Sequence, residues 1–405
     1  MRILIVTQYF WPENFRINDV VKYLKNNGHH VTVLTGYPNY PSGKIYDEFK
    51  KNKQVYYTFL KNIKIIRVPI IPRGGTKFQL FFNYLSFIFS ASFFLIFNFS
   101  KINFDAVLCY GTSPITSSLP GIIIGKLKKK PIFLWVLDLW PDTLVDLKIL
   151  KPGVFLTLIK LIVKYIYSNC TLIFCQSKSF VNTINKNINY KVKTLYLPSW
   201  YEEIFIKKKN LKKIRLFSRK KTFNILFAGN IGEAQDFNTI VSCAVRLRKY
   251  PDIKWTVIGE GRKYDDFVRS LKKNNILNKF SLLGQKPLNE MPLHYKKASV
   301  LIITLKDTNT FSKTIPGRLQ TCLISKKPIV AAARGETKRI IEESSSGLVA
   351  SSGDYINLSR NILKIYKMTE KRRNQYGKNG YNYAKKFFNR EIILSDLENS
   401  IKSNI

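Results

Sequence analysis

Three loops in the second half of the chain carry residue types that hold anions. "FAGNIGEAQDF" (Phe227–Phe237) reads as a strand end, a two-glycine turn and a helix start. Gly229 and Gly232 let backbone approach a ligand, and N–H groups at a helix start favour negative charge. The stretch holds no Lys or Arg; Asn230 and Gln235 are its neutral polar side chains. Gly259 and Gly261 of "GEGRK" and the pair Gly284–Gln285 repeat the pattern after two further apolar runs. A diphosphate held there needs cations from elsewhere. "NTFSKTIPGRLQTCL" (Asn309–Leu323) supplies Lys313 and Arg318 around Pro316 and Gly317. Arginine can grip two phosphate oxygens at once, and lysine acts as a mobile point charge. A blander use of these glycines is tight turning in α/β loops, which their recurrence at several strand ends weighs against. The Gly-x-Gly pair lacks the third glycine of a dinucleotide fingerprint, and no GKS or GKT follows "FAGNIG", so NAD, FAD and a Walker-type ATPase find little support.

The first half carries a different chemistry. "QYFWPENFRIND" (Gln8–Asp19) brings Trp11, Glu13, Asn14 and Arg16 to the mouth of a site, and "WVLDLWPDTLVD" (Trp135–Asp146) brings Asp138, Trp140 and Asp142. Acids are scarce, 26 against 67 basic residues, so their clustering beside tryptophans is informative. Aromatic rings beside carboxylates suit a sugar, whose C–H face stacks while its hydroxyls hydrogen-bond. The competing use of Asp142 is as a cap on the following helix.

Such loops need strands to carry them. Short apolar runs ("RILIVTQ", "HVTVLTG", "FDAVLCYG", "PIFLWVLD", then "FNILFAG", "IKWTVIGEG", "SVLIITL", "KPIVAAA") alternate with helical stretches in both halves. This pattern indicates parallel strands buried on both faces and two doubly wound domains, whose ligands bind at the strands' carboxyl ends. The expected layout is a first domain over 1–200, a basic linker over 201–221, a second domain over 222–380 and a helical tail over 381–405. A length of 405 residues fits two domains.

The net charge of +41 fits nucleic acid, an anionic membrane or a polyphosphorylated substrate, although Lys-, Asn- and Ile-rich composition from an AT-rich genome also raises it. The five cysteines are scattered without a CxxC pair, which supports neither a disulfide framework nor a zinc site and fits a reducing cytosol. From Phe78 to Ser100 the chain has no charged residue, long enough to span a bilayer. Strand-like runs on both sides argue instead for a crossover helix that leaves apolar surface exposed on an anionic bilayer, with an ordinary buried helix and a true span as alternatives. Gln79, Asn83, Ser86 and Ser90 give that helix one weak polar stripe.

Taken in order, "QYFWPENFRIND", "DLWPDTLVDLKIL", "LPSWYEEIF", "FAGNIGEAQDF", "VIGEGRK", "IPGRLQTCLISKKPIVAA" and "GETKRIIEESSSGLV" resemble a family-4 retaining glycosyltransferase of the GT-B fold. They are most similar to its bacterial branch that adds N-acetylfucosamine and related aminosugars in O-antigen or capsule synthesis. The resemblance implies two doubly wound Rossmann-like domains facing each other across a cleft, and a UDP-sugar donor on the C-terminal one. It also implies a lipid-diphosphate-linked saccharide acceptor on the N-terminal one, and transfer with retention of configuration. Gly229 and Gly232 would lie beneath the diphosphate, Gly284–Gln285 would meet the nucleobase, Glu336 would lie near the donor sugar, and Asp138 would face that sugar. Two departures stand out: Asn230 and Gln235 occupy positions where many members have Arg and Lys, and Lys313 and Thr321 occupy those of a widespread glutamate pair. Phosphate charge would therefore fall to Lys313 and Arg318. No DxD motif is present, so no metal is expected, and no nucleic-acid motif appears. The expected setting is the cytoplasmic side of the inner membrane, peripherally attached. A nucleotide-sugar epimerase or phosphorylase of the same fold, and a non-catalytic basic binding protein, are the rival readings.

Overall fold

The computed structural model describes residues 1–51, 63–188, 191–206 and 222–405. The chain forms two compact units, Met1–Pro198 with Glu391–Ile405, and Ser199–Arg390. Most of the expected linker, residues 207–221, lies outside the described residues. The region read as one tail is divided: its last helix belongs to the first unit.

The first unit runs β1 (Arg2–Val6), α1 (Ile17–Asn26), β2 (His30–Gly36), α2 (Asp47–Lys51), β3 (Lys64–Val68) and α3 (Lys77–Phe97). It continues through β4 (Ala106–Gly111), α4 (Leu119–Leu127), β5 (Ile132–Val136), α5 (Asp142–Asp146) and α6 (Val154–Ser168). Then come β6 (Leu172–Cys175), α7 (Lys178–Asn187) and β7 (Lys193–Tyr196). All strands pair in parallel in the order β3-β2-β1-β4-β5-β6-β7. The chain therefore reverses direction between β1 and β4, the switch point at which such sheets open a crevice. β4 and β5 are buried along their whole length, as continuous apolar runs require. One core cluster joins Leu4, Val107 and Leu134 of the sheet to Phe87 of α3, Ile122 of α4, Ile159 of α6 and Phe180 of α7. Those four helices thus cover the same face.

The second unit runs β8 (Phe223–Ala228), α8 (Phe237–Arg246), β9 (Ile253–Ile258), α9 (Tyr264–Lys273), β10 (Phe280–Leu282) and α10 (Met291–Lys297). It goes on to β11 (Val300–Thr304), α11 (Asn309–Lys313), α12 (Gly317–Ile324), β12 (Ile329–Ala332), α13 (Gly335–Glu343) and β13 (Gly347–Ala350). α14 (Tyr355–Lys367) and α15 (Glu370–Phe387) follow, and α16 (Arg390–Lys402) ends the chain's regular structure. The parallel order β10-β9-β8-β11-β12-β13 puts its switch point between β8 and β11. α16 is tied into the first unit through Glu398, whose carboxylate accepts from Asn27 at 2.6 Å and meets His29 at 2.9 Å.

α3 is long and apolar enough to cross a membrane by length and composition. Yet β3 before it and β4 after it belong to one sheet. Two of its polar residues bond toward the loops after β1 and β3. Asn83 donates to the Ile71 carbonyl at 2.6 Å and accepts from Gln8 at 2.8 Å; Ser86 Oγ accepts from the Ile71 N–H at 2.9 Å. Gln79 completes a capping box with Thr76. Asn83, Phe87, Ala91 and Leu95, at successive fourth positions, form the buried stripe, while Phe89, Phe93 and Phe97 point away from it.

Candidate functional site

At the carboxyl edge of the second sheet, the glycine loops are stapled to one another. The Gly229 N–H donates to the Ile258 carbonyl at 2.9 Å, and the Gly259 N–H donates to the Gly284 carbonyl at 2.9 Å. Ile231 N–H bonds Glu260 O at 2.8 Å, and Lys263 N–H bonds Ile231 O at 3.0 Å. A Cβ on Gly259, at φ +135°, would sit 1.9 Å from the Gly229 carbonyl oxygen; one on Gly261 would sit 2.4 Å from that of Ile231. These glycines exist so that three loops can close on each other. The Gly232 N–H is taken by the Gln235 side chain at 3.3 Å. This corrects the expectation that the amides of Gly229 and Gly232 stand free for a phosphate: their partners lie in neighbouring loops and in Gln235. Asn230 and Gln285 are exposed, and Gly284 turns at φ +63°.

Arg318, in the first turn of α12, is brought directly to this floor. Its Cδ lies 3.6 Å from where a Gly229 Cβ would stand, and its guanidinium packs 4.4 Å above the Phe227 ring. Nη2 donates to the Thr304 carbonyl at 2.9 Å. Nε and Nη1 are closed off from solvent and make no hydrogen bond among the described residues. Burial pulls the guanidinium down to about 10, so it keeps its proton at neutral pH. Among the described residues this half-buried cation therefore keeps two donors unused, and such donors call for an acceptor.

Pro316 and Gly317 form the start of α12, with Gly317 exposed, and Thr321 lies one turn on. Lys313 ends α11, half-buried. That helix packs against the start of α13, where a Cβ on Gly335 would lie 1.9 Å from the Ser312 carbonyl oxygen. Glu336 follows there, buried, its carboxylate held by Arg339 at 2.6 Å. Three charged residues escaped the sequence reading. Glu233 meets Lys263 at 2.8 Å and Lys306 at 2.5 Å, which holds its carboxyl below the usual range. Lys263 and Lys306 follow β9 and β11, the two neighbours of β8. Their positions just after strand ends were the available signal.

In the first unit, Glu13 is a strut. Buried in the loop after β1, its carboxylate accepts from the backbone N–H groups of Tyr40 at 2.7 Å, Asn39 at 2.8 Å and Phe10 at 3.1 Å. Burial pushes it up to about 7, opposed by those three bonds. It therefore clips the loops after β1 and β2 together, where the sequence suggested a carboxylate at the mouth of the site. Trp11 is half-buried with its ring edge-on to Phe49, and Asn14 is exposed. Arg16 stands at the N-cap of α1.

Asp138, after β5, is pushed up to about 6 by burial. It has Tyr110 of β4 as a neighbour. Burial pushes that phenol up, the Asp138 charge adds to the effect, and the charge and backbone N–H of Arg16 oppose it. Arg16 at the start of α1 and Asp138 after β5 thus both act on the Tyr110 phenol of β4. Trp140 is buried and donates through Nε1 to Ser113 Oγ at 2.9 Å. Asp142 opens α5 behind Pro141 and is not its cap. Among the described residues no three His, Cys, Asp or Glu side chains cluster as a metal site requires.

Residues 208–383 match the family described as glycosyl transferases group 1. The fold recurs in sucrose-phosphate synthase from Thermosynechococcus elongatus, 14% identical with TM-score 0.76 over 99% of this chain and 98% of that one. It recurs in HepE from Anabaena in complex with UDP and glucose, 12% identical with TM-score 0.71 over 100% of both chains. A trehalose-6-phosphate protein from E. coli bound with UDP-2-fluoro glucose is 12% identical, TM-score 0.73, with 99% of each chain covered. No curated protein matches the chain by sequence. The fold is therefore GT-B, two parallel-sheet Rossmann-like domains, and residues 208–383, within the second half of the chain, are similar to the glycosyl transferases group 1 family.

Proposed function

We propose that this chain transfers an N-acetylated aminosugar from a UDP-sugar to a lipid-diphosphate-linked saccharide, with retention and without a metal, during O-antigen or capsule synthesis. The work would be done from the cytoplasm, with the protein resting on the anionic inner-membrane surface. One observation carries the donor half of this reading: the Arg318 guanidinium against Gly229, with two donors unused among the described residues, inside the region matched by the glycosyltransferase family. The two structural relatives with UDP or a UDP-sugar bound support the choice of donor.

Chemically, the bond between the sugar's C1 and the diphosphate oxygen breaks, and the departing diphosphate gains negative charge. A fixed cation in a dry site stabilises that charge far more than water does. Arg318 supplies it, with Lys313 as the more mobile partner. Since the Gly229 and Gly232 amides are already engaged, side-chain cations bear more of this load than the sequence suggested. Asp138, ionised above about pH 6, faces the sugar's hydroxyls or its developing positive charge.

A thermal-shift panel of UDP, GDP and their sugars tests the donor, because a ligand bound only to the native state raises Tm. UDP-sugars are expected to give the largest shift. Arg318→Ala is expected to lower transfer by about 100-fold while the protein still folds. Wild-type turnover in that variant removes Arg318 from the mechanism, and interconversion of UDP-sugars without acceptor replaces the transferase by an epimerase.

A further inference from the structure

We infer that the outer face of α3, α4 and α6 in the first unit is a docking surface for an anionic phospholipid bilayer. The inference deepens the membrane placement proposed above and is independent of the sugar chemistry. It rests first on a helix that is apolar on its outer side as well as its inner one. A surface helix in water buries its apolar stripe and exposes its polar one. α3 does the opposite with its polar residues, spending Asn83 and Ser86 on hydrogen bonds toward the sheet side. Phe78, Phe89, Phe93 and Phe97 are left 79%, 69%, 63% and 70% exposed. α6, whose Ile159, Val163 and Ile166 join the same core as α3, leaves Val154 89% and Leu161 59% exposed. Aromatic and branched side chains on this scale exceed what scattered surface hydrophobes explain.

Charge selects the occupant. Residues 49–104, 106–137 and 147–201 contain no Asp or Glu, so all four helices on this face of the sheet are free of carboxylates. The helices α1, α2 and α16 of the same unit each carry acids. Lysines sit among the apolar residues: Lys126 lies 5.4 Å from the Tyr165 ring, and Lys128 lies 4.7 Å from Phe99. Lys160 and Lys164 are exposed between the apolar positions of α6. An apolar surface interleaved with cations of one sign matches acyl chains below a layer of anionic headgroups. A protein interface depletes charge at its core, and a nucleic-acid surface has no use for a row of exposed phenyl rings. An open groove of about 670 Å3, lined by Arg67 of β3 and by Phe89, Phe93 and Phe97 of α3, offers room for a lipid chain.

Flotation of the full chain with phosphatidylcholine vesicles, with and without phosphatidylglycerol, tests this. Wild type is expected to float with the anionic vesicles and much less with the neutral ones. Phe89→Ser/Phe93→Ser/Phe97→Ser is expected to weaken this binding by about 10-fold or more, while the same positions changed to Leu retain it. Lys126→Glu/Lys160→Glu/Lys164→Glu is expected to abolish the preference for anionic lipid. Should the serine triple fail to fold, Leu158→Ser/Leu161→Ser on α6 carries the same expectation. Equal flotation of the folded serine variant and wild type overturns the inference. So does wild type that ignores vesicles, dimerises through these phenylalanines, or binds a DNA duplex that vesicles cannot displace. The Tm shift from UDP is expected to be the same in every folded variant. A chain that ignores UDP yet still floats leaves this surface standing and removes only the donor assignment.

Discussion

α9 of the second unit opens with Asp265 and Asp266, closes with Lys272 and Lys273, and buries Phe267 and Leu271. Each charge faces the helix end whose dipole it complements, and the exposed side is built for water. α3 of the first unit has no acid in its first turn and no base in its last, and it turns phenylalanines outward. Both helices cover parallel sheets of the same architecture. The difference teaches that sheet order sets where a helix runs, whereas the residues on its outer side are set independently of that order. The carboxyl edges differ as well. The second unit's loops close through glycines, while the first unit's are braced by the buried Glu13 and a buried tryptophan, Trp140.

The largest break in that contrast should come from Gly259→Ala. The new methyl group would stand 1.9 Å from the Gly229 carbonyl oxygen, at a backbone φ of +135° that L residues rarely adopt. Neither obstacle is a flexible side chain. The loss is expected to exceed about 3 kcal/mol, read as a drop in denaturant midpoint for the second unit and loss of the UDP-induced Tm shift. Near-wild-type stability would mean the loops can separate, and the close-packed floor would have to be abandoned.

An intermediate effect is expected from Glu13→Gln, which attacks the brace of the first unit. Burial raises the Glu13 carboxyl from 4.5 to about 7 in the folded chain. The native state therefore holds this proton more tightly than the unfolded chain does. The corresponding stability is complete below about pH 4.5 and is lost as pH rises toward about 7. Glutamine has no such titration. It also offers one acceptor oxygen where three N–H groups converge, costing about 1–3 kcal/mol. Melting at about pH 5 and about pH 8 should show a lower Tm for the variant and a smaller change between the two conditions. An identical change in both proteins would assign the pH dependence elsewhere.

Much of this was legible in the sequence because it is local. Continuous apolar runs such as "AVLCYG" and "IFLWV" became central strands, as burial on both faces demands. The uncharged stretch after Phe78 became one helix, and its polar positions were visible too. The bonds made by Asn83 and Ser86 were not, since their partners, Gln8 and Ile71, lie in the loops after β1 and β3. The same limit hid the fate of the glycine-loop amides. Gly229 looks open along the sequence, but its N–H partner, Ile258, ends the neighbouring strand. Glu13 looked like a displayed acid because Asn39 and Tyr40, which bind it, lie a strand and a helix away. Arg318 was placed correctly at a helix start, whereas its stacking on Phe227 needed the pairing of β8 with β11 to become visible.

The smallest expected effect sharpens the contrast between structural and functional glycines. Gly317, at the exposed start of α12, has nothing within 4 Å of a Cβ built on it and no left-handed backbone. Gly317→Ala is therefore expected to change stability by no more than about 0.5 kcal/mol, and in the favourable direction if helix propensity decides. The helix start beside Arg318 is nonetheless where a diphosphate would have to come close. A methyl group there should weaken UDP binding by about 3- to 10-fold without moving the denaturant midpoint. Unchanged UDP affinity would show that the ligand approaches from another side, and the Gly317–Arg318 turn would keep a structural role alone.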